Sequence, residues 1–200
     1  MTYRQLLGDL DSWFAGGVTN AGPGVVLCRR GCGACCHGPF DISPADAELV
    51  ATAIIHLDPA IRSTIRSHAA AQLGRYVELA PAWDAPWNVD AIDDDTFDRI
   101  SDALADEPCP VLNDRGECLI YEARPATCRL TGLAMVTPLG DVLENVCPIL
   151  HTSQAYAELN PALFDLARFE DRAEDLDAVA MTNGWVRTTV SGAIARSAQT

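Results

Sequence analysis

Cys28-Arg-Arg-Gly-Cys32-Gly-Ala-Cys35-Cys36-His37 is the stretch on which the reading of this chain turns. Four thiols fall within nine residues, on a segment punctuated by glycine. A second group follows much later, at Cys109, Cys118, Cys128 and Cys147. The eight cysteines of the protein all belong to these two groups. Cysteines used for packing would be scattered. Bunching of this kind predicts sulfur ligands from distant parts of the chain that meet at a metal ion or an iron–sulfur cluster.

The 200 residues amount to one domain's worth of chain, and the expected organisation is a single domain over 1–200. Its metal-binding core is expected over about 28–50 and 108–148, with helical flanks on both sides. Apolar residues make up 48%, enough for a packed core without disulfides. The first ten residues lack the basic start and apolar run of a signal peptide, and no apolar run of about 18 residues occurs. The expected location is therefore a reducing, bacterial-type cytoplasm, where metal or redox roles for cysteine outrank disulfides. A net charge of −14 repels nucleic acid and anionic lipid, so neither is expected as a partner. The 14 basic residues are all arginine, which excludes Schiff-base chemistry and a P-loop lysine.

Charge is distributed unevenly. Two arginines and no acid lie between Cys28 and His37. Three acids (Asp114, Glu117, Glu122) balance three arginines (Arg115, Arg124, Arg129) between Cys109 and Arg129. Nearby arginine stabilises thiolate, the ligating form of cysteine.

Apolar spacing predicts a helix over 3–15, ended by Gly16-Gly17. A turn-rich link over 20–24 delivers the chain to an irregular loop, Cys28 to Gly38. Ser43-Pro44 starts a helix to about His56, and Asp58-Pro59 starts another to about Leu79. The acids Asp90 to Asp98 read as the solvated start of a short helix near 96–105, since they lack the glycine and spacing of a calcium loop. Asn113-Asp-Arg-Gly116 is a turn signal that sets Cys109 and Cys118 across a small hairpin. Residues 131–137 and 142–146 read as a β-hairpin closed by Cys147-Pro148. Helices are expected at 152–159, 161–172 and 174–182, with a final helix or strand from Trp185. The predicted fold is mainly α with a small β-hairpin, its irregular cysteine-rich loops gathered around a metal centre and flanked by helices.

Cys32-x2-Cys35 is a chelating pair, because two intervening residues let both sulfurs turn to one ion. Cys35 and Cys36 diverge on any regular backbone, so either the loop bends sharply or the two thiols serve different roles. The run Cys32-Gly-Ala-Cys35-Cys36, followed by Cys109-Pro110, Cys118-Leu-Ile-Tyr121-Glu-Ala-Arg124-Pro125-Ala-Thr-Cys128-Arg129, resembles the YkgJ-type cysteine-cluster family. That family is described as a zinc- or iron-chelating domain, and flagellin lysine methylase resembles it in its cysteine region. The resemblance covers about 28–50 and 108–148. It implies a metal held by Cys32, Cys35, Cys36, Cys109, Cys118, Cys128, Cys147 and Cys28. Cys28 is the weakest member, since three residues separate it from Cys32 where the family has two. Tyr121 and Pro125 are expected to pack beneath the loop. Arg124 and Arg129 are expected to bond backbone carbonyls or neutralise thiolate charge. His37 and His151 lie beside the cysteine groups as extra candidate ligands.

Zinc needs four donors and leaves about half the thiols without a role. A [4Fe–4S] cluster also takes four thiolates and tolerates irregular spacing, so it is the favoured cofactor, with zinc the alternative. Cys28-x3-Cys32-x2-Cys35 has radical-SAM spacing, but 200 residues leave little room for a barrel of about 250. Three readings stay open: an iron–sulfur protein in redox, maturation or metal handling, with a redox or protein partner; a cluster-dependent enzyme of the protein-methylase type; and a structural zinc module in an adaptor.

Overall fold

The computed structural model describes residues 2–144, 147–149 and 153–198. In chain order its elements are α1 (Tyr3–Ala21), β1 (Asp41–Ile42), α2 (Pro44–Ile55), α3 (Pro59–Leu79), α4 (Asp94–Ala103), α5 (Ala126–Leu130), β2 (Met135–Val136), β3 (Val142–Leu143), α6 (Gln154–Ala157), β4 (Ala162–Leu163), α7 (Leu166–Thr182), β5 (Thr188–Thr189) and α8 (Val190–Arg196). Helix dominates and the strands are two residues each, so the fold is mainly α with small sheets. The chain forms two compact units, Met1–Cys35 with Ala126–Leu176, and Cys36–Pro125 with Asp177–Thr200.

In the first unit, Thr2 caps α1. Its hydroxyl accepts from the Gln5 N–H, and the Gln5 side chain accepts from the Thr2 N–H at 2.7 Å. Leu6, Leu7 and Leu10 bury one stripe of the helix. The helix does not stop at Gly16-Gly17; it continues to Ala21 and ends at Gly22, where φ is 90°. Gly17 serves packing instead of termination, because a Cβ there would come within 2.2 Å of Leu133 Cδ2. Leu133 sits with Val26 and Cys147 in a buried cluster covered by Trp13, Phe14, Val18 and Cys28. Helix α5 packs on α1, and the buried Arg129 on it forms an ion pair with Asp11.

The predicted hairpin is present but short. Strand β2 pairs antiparallel with β3 and parallel with β4, in the order β3-β2-β4. Its first expected residues are taken by the end of α5, where the Thr131 N–H reaches the Thr127 carbonyl at 3.2 Å. Val146 of the expected second strand lies outside the described residues. Residues 161–163 are not helical: Ala162 N–H bonds the Ala134 carbonyl at 2.9 Å and the segment joins the sheet as β4. The helices expected at 161–172 and 174–182 are one helix, α7.

In the second unit, Ser43 caps α2 with its hydroxyl on the Asp46 N–H, and Pro44 fills the first helical position. A cap of this kind is worth about 1 kcal/mol. Asp58 and Pro59 repeat the device for α3. Ile65, Ala69, Leu73 and Tyr76 of α3 are buried, whereas Ile61 is exposed. Tyr76 stacks on Trp83 with ring centroids 5.2 Å apart, and Ile100 and Leu104 close the cluster from α4. Asp93 caps α4, and Asp94 and Asp95 occupy its first turn, so these acids form a helix start. The segment from Trp185 is both strand and helix: β5 pairs with β1, and α8 then packs on α2 and α3.

Candidate metal centre

The most informative geometry lies in the second unit. His37 and Pro108 form an antiparallel bridge, with the Cys109 N–H on the Cys36 carbonyl at 2.9 Å and the Gly38 N–H on the Glu107 carbonyl at 2.8 Å. That register sets Cys36 opposite Cys109. Opposing residues of an antiparallel pair project their side chains to the same face, so both thiols leave the backbone on one side. Gly38 makes the bridge possible: its φ is 71°, and a Cβ there would lie 3.3 Å from the Ala105 Cα.

Cys109 then turns the chain, its carbonyl accepting from the Leu112 N–H at 3.0 Å. The turn at Asn113–Gly116 forms as predicted. Asn113 Oδ1 accepts from the N–H groups of Arg115 and Glu117, each at 2.9 Å, and Gly116 has φ 74°. The hairpin it closes pairs Leu112 with Cys118, so the residue facing Cys118 is Leu112 and not Cys109. Downstream, the Arg124 guanidinium lies 4.1 Å from the Tyr121 ring centroid and donates to the Tyr121 carbonyl at 3.2 Å. This clasp holds the short 3-10 turn at Tyr121–Ala123, after which the buried Pro125 leads toward Cys128.

In the first unit, Cys147 is buried and Cys28 packs against the same apolar cluster. The Cys32 N–H bonds the Arg29 carbonyl at 3.0 Å, which tightens the loop. Cys128 is carried by α5, a helix the sequence reading did not expect. Arg129 beside it is paired with Asp11. The division between units falls between Cys35 and Cys36, so these adjacent thiols belong to different compact bodies. His37 is exposed, and His151 lies outside the described residues. Among the described residues, no three His, Cys, Asp or Glu side chains are gathered as a metal site.

Sequence reasoning missed Tyr156. Burial, and then the neighbouring Cys147 and more weakly Cys28, push its phenol above the ordinary range. Only its position nine residues after Cys147 hinted at this. The chemistry of the donor set fits a soft-metal group: thiolates select zinc and iron–sulfur clusters, and Cys36 and Cys109 are already placed on one face.

Residues 27–148 match the CxxCxxCC family, whose description is "putative zinc- or iron-chelating domain". No curated protein and no solved structure matches the chain.

Proposed function

Since the chain belongs to the CxxCxxCC family of zinc- or iron-chelating domains, we propose that it carries a [4Fe–4S] cluster and serves in redox, maturation or metal handling. The observation that supports this reading is the Cys36–Cys109 register. It pairs the two cysteine segments backbone to backbone and presents one thiol from each on the same face. When bound, a cluster of this type supplies one-electron transfer at a potential set by charge and hydrogen bonding around its sulfurs.

The chain's own residues set up that site. Gly38 allows the close approach of the two segments. Cys36 and Cys109 are two of the ligands. The clasp of Arg124 on Tyr121 fixes the backbone that leads to Cys128. Eight thiols exceed the four that either a tetrahedral zinc or one such cluster uses, so the irregular spacing, which a cluster tolerates, is what favours the cluster.

The test is metal analysis and absorption spectroscopy on protein purified without air. Iron and sulfide in equal amounts, with a band at about 400 nm that bleaches with dithionite, supports the reading. A colourless protein holding one zinc overturns it in favour of a structural zinc module.

A further inference from the structure

The three-stranded sheet of the first unit has one face too many. Met135, in the centre strand, is buried in the core. On the other face, register aligns Val142, Val136 and Leu163 in one row across β3, β2 and β4. Sheets with one solvated face carry polar residues on it. Here Val142 is 54% exposed and Leu163 67%, and Leu139 at the hairpin tip is 92% exposed. Beside that row, Val142, Ala134, Tyr156, Ala157, Leu159 and Pro161 line an open cavity of about 370 Å³, with Glu144 as its charged member. Exposed apolar surface that surrounds a cavity marks an interaction site.

Charge identifies the occupant. From Thr131 to Leu166 the chain has four acids, Asp141, Glu144, Glu158 and Asp165, and no arginine. A second copy of a chain with net charge −14 is repelled from such a surface. We propose that this sheet face docks an extended segment of a partner protein, apolar at alternate positions and basic between them. Apolar side chains of that segment cover the row of Val142, Val136 and Leu163, and one of them enters the cavity. Basic residues on either side meet Glu144 and Asp141. Strand β3 is the edge of the sheet, so an extended segment can also add along it. None of the dock's residues is a thiol, and Tyr156 and Leu159 of its lining adjoin the cluster that contains Cys147.

The probe is a fluorescein-labelled Lys-Val-Lys-Val-Lys-Val peptide, with Glu-Val-Glu-Val-Glu-Val as control, titrated by fluorescence anisotropy against the full chain. Saturable binding of the lysine peptide, weakened by salt, is expected. The L139S/V142T double variant alters only exposed side chains and should weaken binding by about tenfold or more. A157W, which fills the cavity from its exposed rim, should do the same. Equal binding of the two peptides, no saturable binding, or unchanged binding by both variants overturns the proposal. So does a concentration-dependent dimer in sedimentation that the L139S/V142T variant abolishes, since the occupant is then a second copy.

Discussion

Cys109 donates its backbone N–H to the carbonyl of Cys36 at 2.9 Å, and this bond places two cysteines from distant segments at opposing positions of an antiparallel pair. The bond is made by backbone, so it survives loss of sulfur. Cys36→Ser and Cys109→Ser should therefore each lose most bound metal while keeping the helical circular dichroism of the parent. The check is metal per chain by elemental analysis under anaerobic conditions. A serine variant that stays fully loaded excludes that cysteine as a ligand.

Cys32→Ser and Cys128→Ser should abolish metal loading and also lower stability, because metal that binds only the folded state adds its binding free energy to folding. Cys28→Ser should be milder. Thermal melts of metal-loaded and chelator-stripped protein give the size of the linkage. Should Cys128→Ser load normally, Cys128 has no place in the ligand set.

Gly38→Ala should cost about 1–2 kcal/mol, since φ of 71° is unfavourable for any side chain. The Ala105 backbone is close as well, so the strain cannot relax by a side-chain rotation. Urea titration measures the loss. Gly22→Ala provides the contrast: its φ of 90° also disfavours a side chain, but nothing lies within 4 Å, so its cost is the backbone strain alone.

Asp11→Asn should destabilise by about 2 kcal/mol, because it removes the negative charge that pairs with the buried Arg129 guanidinium. Arg129→Met should cost less. It removes the buried charge and leaves an Asp11 side chain that is 41% exposed. Denaturant midpoints of the two variants measure both losses, and an Asp11→Asn midpoint equal to the parent's would refute the pairing.

Tyr76 makes the chain sensitive to alkali. Burial, the largest cause, holds its phenol above the ordinary value of 10.0. The neutral form is the one the fold accepts, and its hydroxyl donates to Gln72 Oε1 at 3.0 Å. Stability from this group is complete below about pH 10, where the phenol is protonated in both states. It falls by about 1.4 kcal/mol per pH unit as pH rises from there toward the folded value. Tyr76→Phe should flatten that slope by about one proton. It should also lose about 1 kcal/mol at neutral pH from the broken hydrogen bond. An unchanged alkaline slope in the variant removes Tyr76 as the cause.

Local signals carried much of the fold. Ser43-Pro44 and Asp58-Pro59 start helices where their capping chemistry places them, and Asn113–Gly116 turns as its residues require. The failures arise where a long-range partner decides. Gly16-Gly17 resembles a helix end, but Gly17 is small because Leu133, more than a hundred residues away, packs on it. Ala162–Leu163 has no strand signal of its own and becomes a strand because β2 offers a parallel edge. Cys109 and Cys118 flank the predicted turn, yet the register chosen at Asn113–Glu117 sets Leu112 opposite Cys118. For the site, spacing identified the thiols and the family. The partner of Cys36 was invisible, because it depends on how α2, α3 and α4 return the chain.

The bridge at His37 and Pro108 also encloses a ring of roughly seventy residues. Bringing such distant ends together in a flexible chain costs on the order of 4 kcal/mol of entropy. Here helices α2, α3 and α4 return the chain so that the two ends lie side by side, and their packing offsets that cost. On the proposed metal reading, an ion meets two cysteines whose backbones already stand in register, so that part of the donor set need not be assembled around it.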